Sequence, residues 1–372
     1  MRWRSTRLGD VITLQRGHDL PEARRRAGDV PVVSSSGITG SHSEAKARAP
    51  GVVTGRYGTI GEVFFVDRDY WPLNTALYVT DFKGNDPRFV AYLLRNALRN
   101  HQSDKAAVPG VNRNVLHEMP VLCPDKKAQR RIASILSAYD DLIENNRRRM
   151  KLLEAAARQL YREWFVRLRF PGHERVKIKD GLPEGWERAP FGEIAPDCRE
   201  LAQPGEAEPD TPHIGLEHMP RRSITLTEWG TSDEVTSTKL RYRAGDILFG
   251  KIRPYFHKVG FALTDGVASS DSIILRPVAA RLHGFVLLTA SSDWFVAVVS
   301  KTAKEGSKMP RADWKLMAAH EISVPPGHIL DAFGDVIDPT VAQLKTLAFH
   351  IRKLRGARDL LLPKLMSGEV AV

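Results

Sequence analysis

Two stretches of this sequence gather cationic, aromatic and small residues at spacings that suit contact with a nucleic acid. In Gly250-Lys251-Ile252-Arg253-Pro254-Tyr255-Phe256-His257-Lys258, basic and aromatic side chains interleave over nine positions. A guanidinium can donate two parallel hydrogen bonds to a phosphate or a guanine edge, and an aromatic ring can stack on a base. In Thr54-Gly55-Arg56-Tyr57-Gly58-Thr59-Ile60-Gly61, one Arg and one Tyr stand among small residues; glycine lets the backbone approach a ligand closely. Three further clusters have loop character: residues 34–40 with Ser35 and Ser36, the run Asn112-Arg113-Asn114, and Ser269-Ser270-Asp271-Ser272. Residues 301–311 add Lys308 and Arg311. The candidate contacts are Ser35, Ser36, Arg56, Tyr57, Asn112 and Arg113 in the first half, and Lys251, Arg253, Tyr255, His257, Ser270, Lys308 and Arg311 in the second. The stretch at 54–61 also reads as a strand–turn–strand with an incidental surface Arg, and each cluster is weak by itself.

A catalytic reading finds less to build on. The chain has no Gly-rich phosphate loop, no GxGxxG and no HExxH or GxSxG signature. The 12 His are scattered, and His213 and His218 lack the i, i+4 helical spacing of a metal pair. His213 reads as a strand or turn residue, and Asp140-Asp141 and Asp233-Glu234 as solvated surface. The expectation is neither an active site nor a metal site.

Composition narrows the partner. A net charge of +11 suits an acidic one, nucleic acid first. Residues 1–124 hold 17 Lys/Arg against 12 Asp/Glu, whereas residues 185–327 hold 17 against 18, so contact in the second region must come from local clusters. Two cysteines, Cys123 and Cys198, fit a reducing compartment and leave no disulfide framework. With no apolar leader and no run near the ~20 apolar residues of a membrane span, the expectation is a cytoplasmic protein without membrane contact.

Something must position these clusters. Ile132, Leu136, Tyr139, Ile143, Met150, Leu153, Ala157, Leu160 and Trp164 recur at steps of four and three, with Asn146 the polar interruption. Such a narrow stripe faces a partner helix, and a polar seam residue sets register. Residues 125–168 as one helix would run roughly 65 Å, a spacer rather than a core element. A second stripe answers it: Leu330, Phe333, Ile337, Leu344, Leu347, Ile351, Leu354, Leu361 and Leu365, with Thr340 and Arg358 in the gaps. Pro339 predicts a kink or restart, and Pro363 with Gly368 a stop. The two stripes predict an intramolecular coiled coil. Helices lying on their own domains would carry broader apolar faces.

The rest reads as α+β. Residues 1–124 alternate short strands (30–33, 51–54, 62–66, 76–79) with turns and one helix over 87–100, and end in an edge segment at 121–124. Residues 187–327 follow the same plan: Phe191-Gly192-Glu193-Ile194 echoes Leu8-Gly9-Asp10-Val11, and Ile322-Ser323-Val324-Pro325 echoes Val121-Leu122-Cys123-Pro124. The prediction is a tandem duplication of a mixed α/β domain plus a long helix, with domains at 1–124 and 187–327, helices at 125–170 and 328–372, and a Pro/Gly-bounded linker at 171–186.

These residues resemble the specificity subunit of type I restriction-modification enzymes. The match runs through PVVSSSGITGSH at 31–42, GRYGTIGEVFFVD at 55–67 and QRRIASILSAYDDLI at 129–143. It continues in GDILFGKIRP at 245–254, SSDSIIL at 269–275 and LLPKLMSGEV at 361–370. The resemblance implies a non-catalytic chain with two target-recognition domains on an antiparallel helical pair, each reading half of a bipartite site in double-stranded DNA. It implies two methyltransferase and two restriction/translocase subunits as partners, with S-adenosylmethionine, ATP and Mg on those partners and no cofactor here. The rival reading is a coiled-coil scaffold without sequence-specific DNA binding, favoured by the acidic balance of the second domain.

Overall fold

The structure, a computed structural model, describes residues 3–56, 61–102, 112–232, 237–301 and 309–372. The chain forms two compact units, Met1–Glu144 with Arg352–Val372, and Asn145–Ile351. It is α+β, with a long helix at Lys126–Tyr161 and another at Gly327–Ser367.

In the first unit, Trp3–Arg7 pairs antiparallel with Pro120–Pro124, Trp3 opposite Pro124. The globular part is therefore tied shut just before the long helix begins. Between these strands lie a one-turn helix, Leu8–Val11, and two sheets. Thr13–Arg16, Ala76–Asp81, Gly51–Gly55 and Val63–Val66 form one in that order; the other joins the hairpin Val30–Ser34/Gly37–His42 to Trp71–Pro72. The helix Pro87–Gln102 buries Phe89, Leu93, Leu94 and Leu98, the face its spacing predicts.

Gln129 fastens the long helix to this domain. Fully buried, it donates to Asn85 Oδ1 at 2.9 Å and Pro124 O at 3.0 Å, and its Oε1 accepts from the Asp86 amide at 3.0 Å. Ile132, Ala133 and Leu136 continue its face into one core with Leu362, Leu365 and Met366, so the start of the first long helix meets the end of the second. Asp140 is not the solvated surface its sequence suggests. Tyr92 Oη donates to it at 2.6 Å, Arg358 Nη1 lies 2.5 Å away and Arg95 Nη1 3.6 Å. Burial alone would raise its pKa; the hydrogen bonds from Tyr92 and Arg358 and the Arg charges hold it below the usual value. Arg358 is thus a half-buried counter-ion in the apolar stripe.

The second unit repeats the order of elements. Glu187–Pro190 pairs antiparallel with Glu321–Val324 and leads into a one-turn helix, Phe191–Ile194. A five-stranded and a four-stranded sheet follow, then helices His283–Ala290, Asp293–Lys301 and Trp314–Ala319. The segment expected as a linker holds a two-residue hairpin, Ile178–Lys179 with Leu182–Pro183, and Phe170 and Trp186 bury with Ile329. Phe165 lies edge-on to Phe333 at 4.6 Å, so the end of the first long helix meets the start of the second.

Three details of the helices depart from the sequence reading. Pro339 neither ends nor restarts the second, which runs unbroken to Ser367, through Pro363, and stops at Gly368 with φ +78°. The first ends at Tyr161 in a π-turn, Arg162–Val166. The apolar stripe also drifts: Leu153, Leu160 and Leu361 are half-buried, while Glu154, Tyr161 and Leu362 are buried. A 3.6-residue helix slips against a 3.5-residue repeat, and polar partners hold the shift. Glu154 Oε1 accepts from Ser223 Oγ at 2.7 Å and Thr225 Oγ1 at 2.9 Å, and Tyr161 Oη lies 3.0 Å from Thr289 Oγ1. Ile132, Leu136, Ile143, Asn146, Met150, Phe333, Ile337, Leu344, Leu347 and Ile351 are buried; Tyr139 and Leu354 are half-buried.

Two stability predictions follow from the first unit. Replacing Gln129 with Ala orphans the Asp86 amide and takes the amide donor from the Pro124 carbonyl, and denaturant unfolding will show a loss of about 1–3 kcal/mol. His117 Nε2 accepts the Leu14 amide at 2.9 Å, and burial, Lys83 and Arg113 hold its pKa below the ordinary 6.5. Its folded pKa is depressed, so its contribution is complete above pH 6.5 and is lost as pH falls toward the folded value. Melting curves of His117→Gln will be flatter than wild type across that interval.

Candidate nucleic-acid interface

The second unit brings its predicted loops onto one surface. The strand Ile247–Gly250 is buried along its whole length, and the chain leaves it held on both sides. The Lys251 amide donates to Asp271 O at 2.8 Å, the Ala312 amide to Lys251 O at 2.9 Å and the Arg253 amide to Pro310 O at 2.8 Å. Residues 250–258, 269–272 and 309–312 are thereby one patch. Arg311 closes it with an ion pair to Asp271 at 2.9 Å.

At the tip, Arg253 and His257 bracket a 3-10 turn, Pro254–Phe256, with φ of +50° and +52°. Left-handed backbone costs an L-residue roughly 1–2 kcal/mol, so the surrounding bonds hold strain at this loop. The turn exposes Tyr255 and sets Phe256 between two guanidiniums, Arg221 at 3.8 Å and Arg253 at 5.9 Å from its centroid. Two of the predicted contacts sit differently. Lys251 is half-buried, donates to Ser270 O at 3.0 Å, and has its pKa lowered chiefly by burial. His257 is turned inward, Nε2 at 3.2 Å from Arg222 Nη2 and 3.6 Å from Asp293 Oδ1, with a pKa lowered by burial and by Arg222. Ser270 and Arg311 are exposed.

In the first unit, Ser35 and Ser36 are the two turn residues of a hairpin in which Ser34 pairs with Gly37. Gly37 has φ +96°, and a Cβ there would meet the Phe64 ring at 3.1 Å. Ser34 Oγ accepts the Ser36 amide at 3.1 Å. The Leu73 amide donates to Val33 O at 2.8 Å and the Arg56 amide to Thr75 O at 2.9 Å, which gathers the serine turn, residues 73–75 and Arg56 at one end of the sheets.

Asn112 and Arg113 do not join them. Asn112 caps the helix Arg113–His117, its side chain accepting the Asn114 amide at 2.9 Å. That helix lies against Gly9, where Lys83 also donates to the backbone. Lys83 follows the far end of Ala76–Asp81, the strand that starts opposite Gly55, so Arg113 is about 17 Å of strand from Arg56. Tyr57 and Lys308 lie outside the described residues.

Sequence reasoning missed Arg221 and Arg222. Their only signal was an adjacent basic pair, muted by the acidic balance around it. It also set aside His213 and His218, which the fold brings together with Glu217, potential ligand atoms within 4.8 Å of one another. His218 Nδ1 accepts the Gly215 amide at 3.0 Å and so closes that turn.

The fold and these loops define a class that known proteins then specify. Residues 2–155 match the type I restriction modification DNA specificity domain. The chain is 24% identical over 292 residues to the type I restriction enzyme MjaIX specificity subunit of Methanocaldococcus jannaschii, covering 73% of this chain and 65% of that one. It is also 24% identical over 380 residues to the EcoDI specificity subunit of Escherichia coli, covering 91% and 83%. The crystal structure of a type I restriction-modification S subunit from M. genitalium superposes with a TM-score of 0.63 at 16% identity, covering 98% and 96%. Over these spans the chain is similar to the specificity subunits of type I restriction-modification systems.

Because Asn112 is a cap, Asn112→Ala will cost about 1 kcal/mol of stability while leaving DNA affinity at wild-type level. Paired melting and binding measurements check both halves of that statement.

Proposed function

We propose that this chain is the non-catalytic DNA-recognition subunit of a type I restriction-modification complex. Residues 1–124 and 187–327 act as target-recognition domains, each reading one half of a bipartite, asymmetric site in double-stranded DNA. The helices at 125–170 and 328–372 pair antiparallel as the spacer that fixes the gap, with 171–186 joining the halves. Support for that pairing comes from each unit separately: Ile132 and Leu136 share a core with Leu362 and Leu365, and Phe165 contacts Phe333. The observation that carries the DNA reading is the surface of Arg253, Tyr255, Phe256 and Arg221, cations alternating with rings on a strained, tethered loop.

In this reading, two methyltransferase subunits dock on the chain and modify adenine, and two restriction/translocase subunits complete the nuclease. S-adenosylmethionine, ATP and Mg belong to those partners, and the complex works in the cytoplasm on unmodified DNA. No single helix among the described residues is long and apolar enough to cross a membrane.

Co-expression with a modification subunit, followed by genome-wide mapping of methylated adenine, tests the proposal. A two-part motif with a fixed gap, lost when this chain is deleted, is the expected result; methylation that persists without the chain refutes it. Arg253→Ala will relax or abolish one half of the motif and Arg56→Ala the other, each by about 1–3 kcal/mol of discrimination.

A further inference from the structure

The cationic surface of the second unit does not stop at its exposed tip. Arg221 stacks on Phe256, and the next residue, Arg222, with φ +59°, lines a cavity of about 240 Å³. Arg158 and Tyr161 of the first long helix, with Arg162 of the π-turn that ends it, form one wall, and His257, Asp293 and Trp294 another. The volume lies below the roughly 300–1,000 Å³ of ordinary small-molecule sites, so it suits one charged group rather than a whole cofactor.

Its charges select the group. Arg158 faces Glu154 at 3.2 Å, and Arg222 faces Asp293 at 2.8 Å. Arg162 Nη1 meets the neutral Gln159 amide oxygen at 3.5 Å. Burial and Arg222 keep His257 neutral near pH 7. Three lining guanidiniums face one lining carboxylate, Asp293, and Glu154 behind the wall pairs with Arg158, which leaves one positive charge, the complement of a phosphodiester. The cavity also continues the line from Arg253 through Phe256 and Arg221 to Arg222, and a DNA strand offers a phosphate every 3.4 Å or so along its axis.

We propose that this cavity takes a backbone phosphate of the strand held by the Arg253–Tyr255 loop. Through Arg158 and Arg162 the first long helix, with the π-turn that ends it, is then itself a DNA-contacting element and not only a spacer. The inference rests on the DNA-reading function above and adds a contact that recognises no base.

The test uses the full chain assembled with its modification subunits, with duplexes carrying the mapped site or a scrambled one, titrated across a salt series. Arg162→Ala removes an exposed side chain, so its melting temperature will match wild type. It will weaken both duplexes by the same factor and lower the slope of log affinity against log salt by about 1. Arg222→Ala will do the same, and Arg162→Lys will restore the slope. An unchanged slope in a stably folded Arg162→Ala assembly that still selects the mapped site overturns this inference and leaves the function standing. A wild-type assembly without site selectivity overturns the function itself. If inorganic phosphate raises the melting temperature of wild type but not of Arg162→Ala while the slope stays fixed, the cavity is a free-anion site and the strand contact is wrong.

Discussion

A helix of 36 or 41 residues with a one-sided apolar stripe cannot stand in water on its hydrogen bonds alone, and covering that stripe is the constraint on which this architecture depends. Propensity would tolerate breaks at Pro339 or Pro363; burial does not. Proline costs a helix about 3 kcal/mol, and the apolar contacts of Phe333, Ile337, Leu344 and Leu347 outweigh it across one continuous element. Both ends of the arrangement are reinforced by polar pieces that apolar packing alone would not require. Asp140 with Arg358 fixes one combination of helix faces, and Glu154 with Ser223 and Thr225 fixes the first long helix against the strand Thr225–Leu226 and the residues before it. A slip would leave the buried Glu154 carboxylate without its partners, which penalises the slip more than the bonds stabilise the native state; Asp140 and Arg358, half-buried, add a smaller penalty of the same kind.

The surface proposed for recognition obeys a different rule. Its side chains are few, but the backbone beneath them is over-determined: Lys251, Arg253 and Ala312 are each pinned by main-chain hydrogen bonds, and the loop carries two left-handed residues that only such pinning can hold. A fixed loop presents its cations without first losing conformational freedom on binding. Identity of the exposed residues can then change while the platform stays.

How much of this the sequence disclosed depends on whether the signal was periodic. The two long helices, the helix Pro87–Gln102 and the closing strand Pro120–Pro124 were legible because burial imposes a repeat on residue type. The drift of the stripe to Glu154 and Tyr161 was not, because it depends on Ser223, Thr225 and Thr289, more than 60 residues away. The loop at 250–258 was legible as chemistry, but the positive φ that turns His257 inward leaves no mark when the residue is not glycine. Asn112 was ambiguous for the opposite reason: Asn is favoured both as a helix cap and as a base contact, and the hydrogen bond from the Asn114 amide shows the cap. Asp140 was misread because a carboxylate beside another carboxylate looks like surface until its three partners converge.

Trp3–Arg7 and Pro120–Pro124 enter and leave the first globular domain side by side, as Glu187–Pro190 and Glu321–Val324 do in the second. Everything between each pair of strands is, in topological terms, a single large excursion from one point on the scaffold. Such an excursion can be cut out and exchanged at its neck without rethreading the helices. Exchange at the two short strands would carry the whole intervening domain with it, its loops and its core together, instead of altering residues one at a time through a shared core.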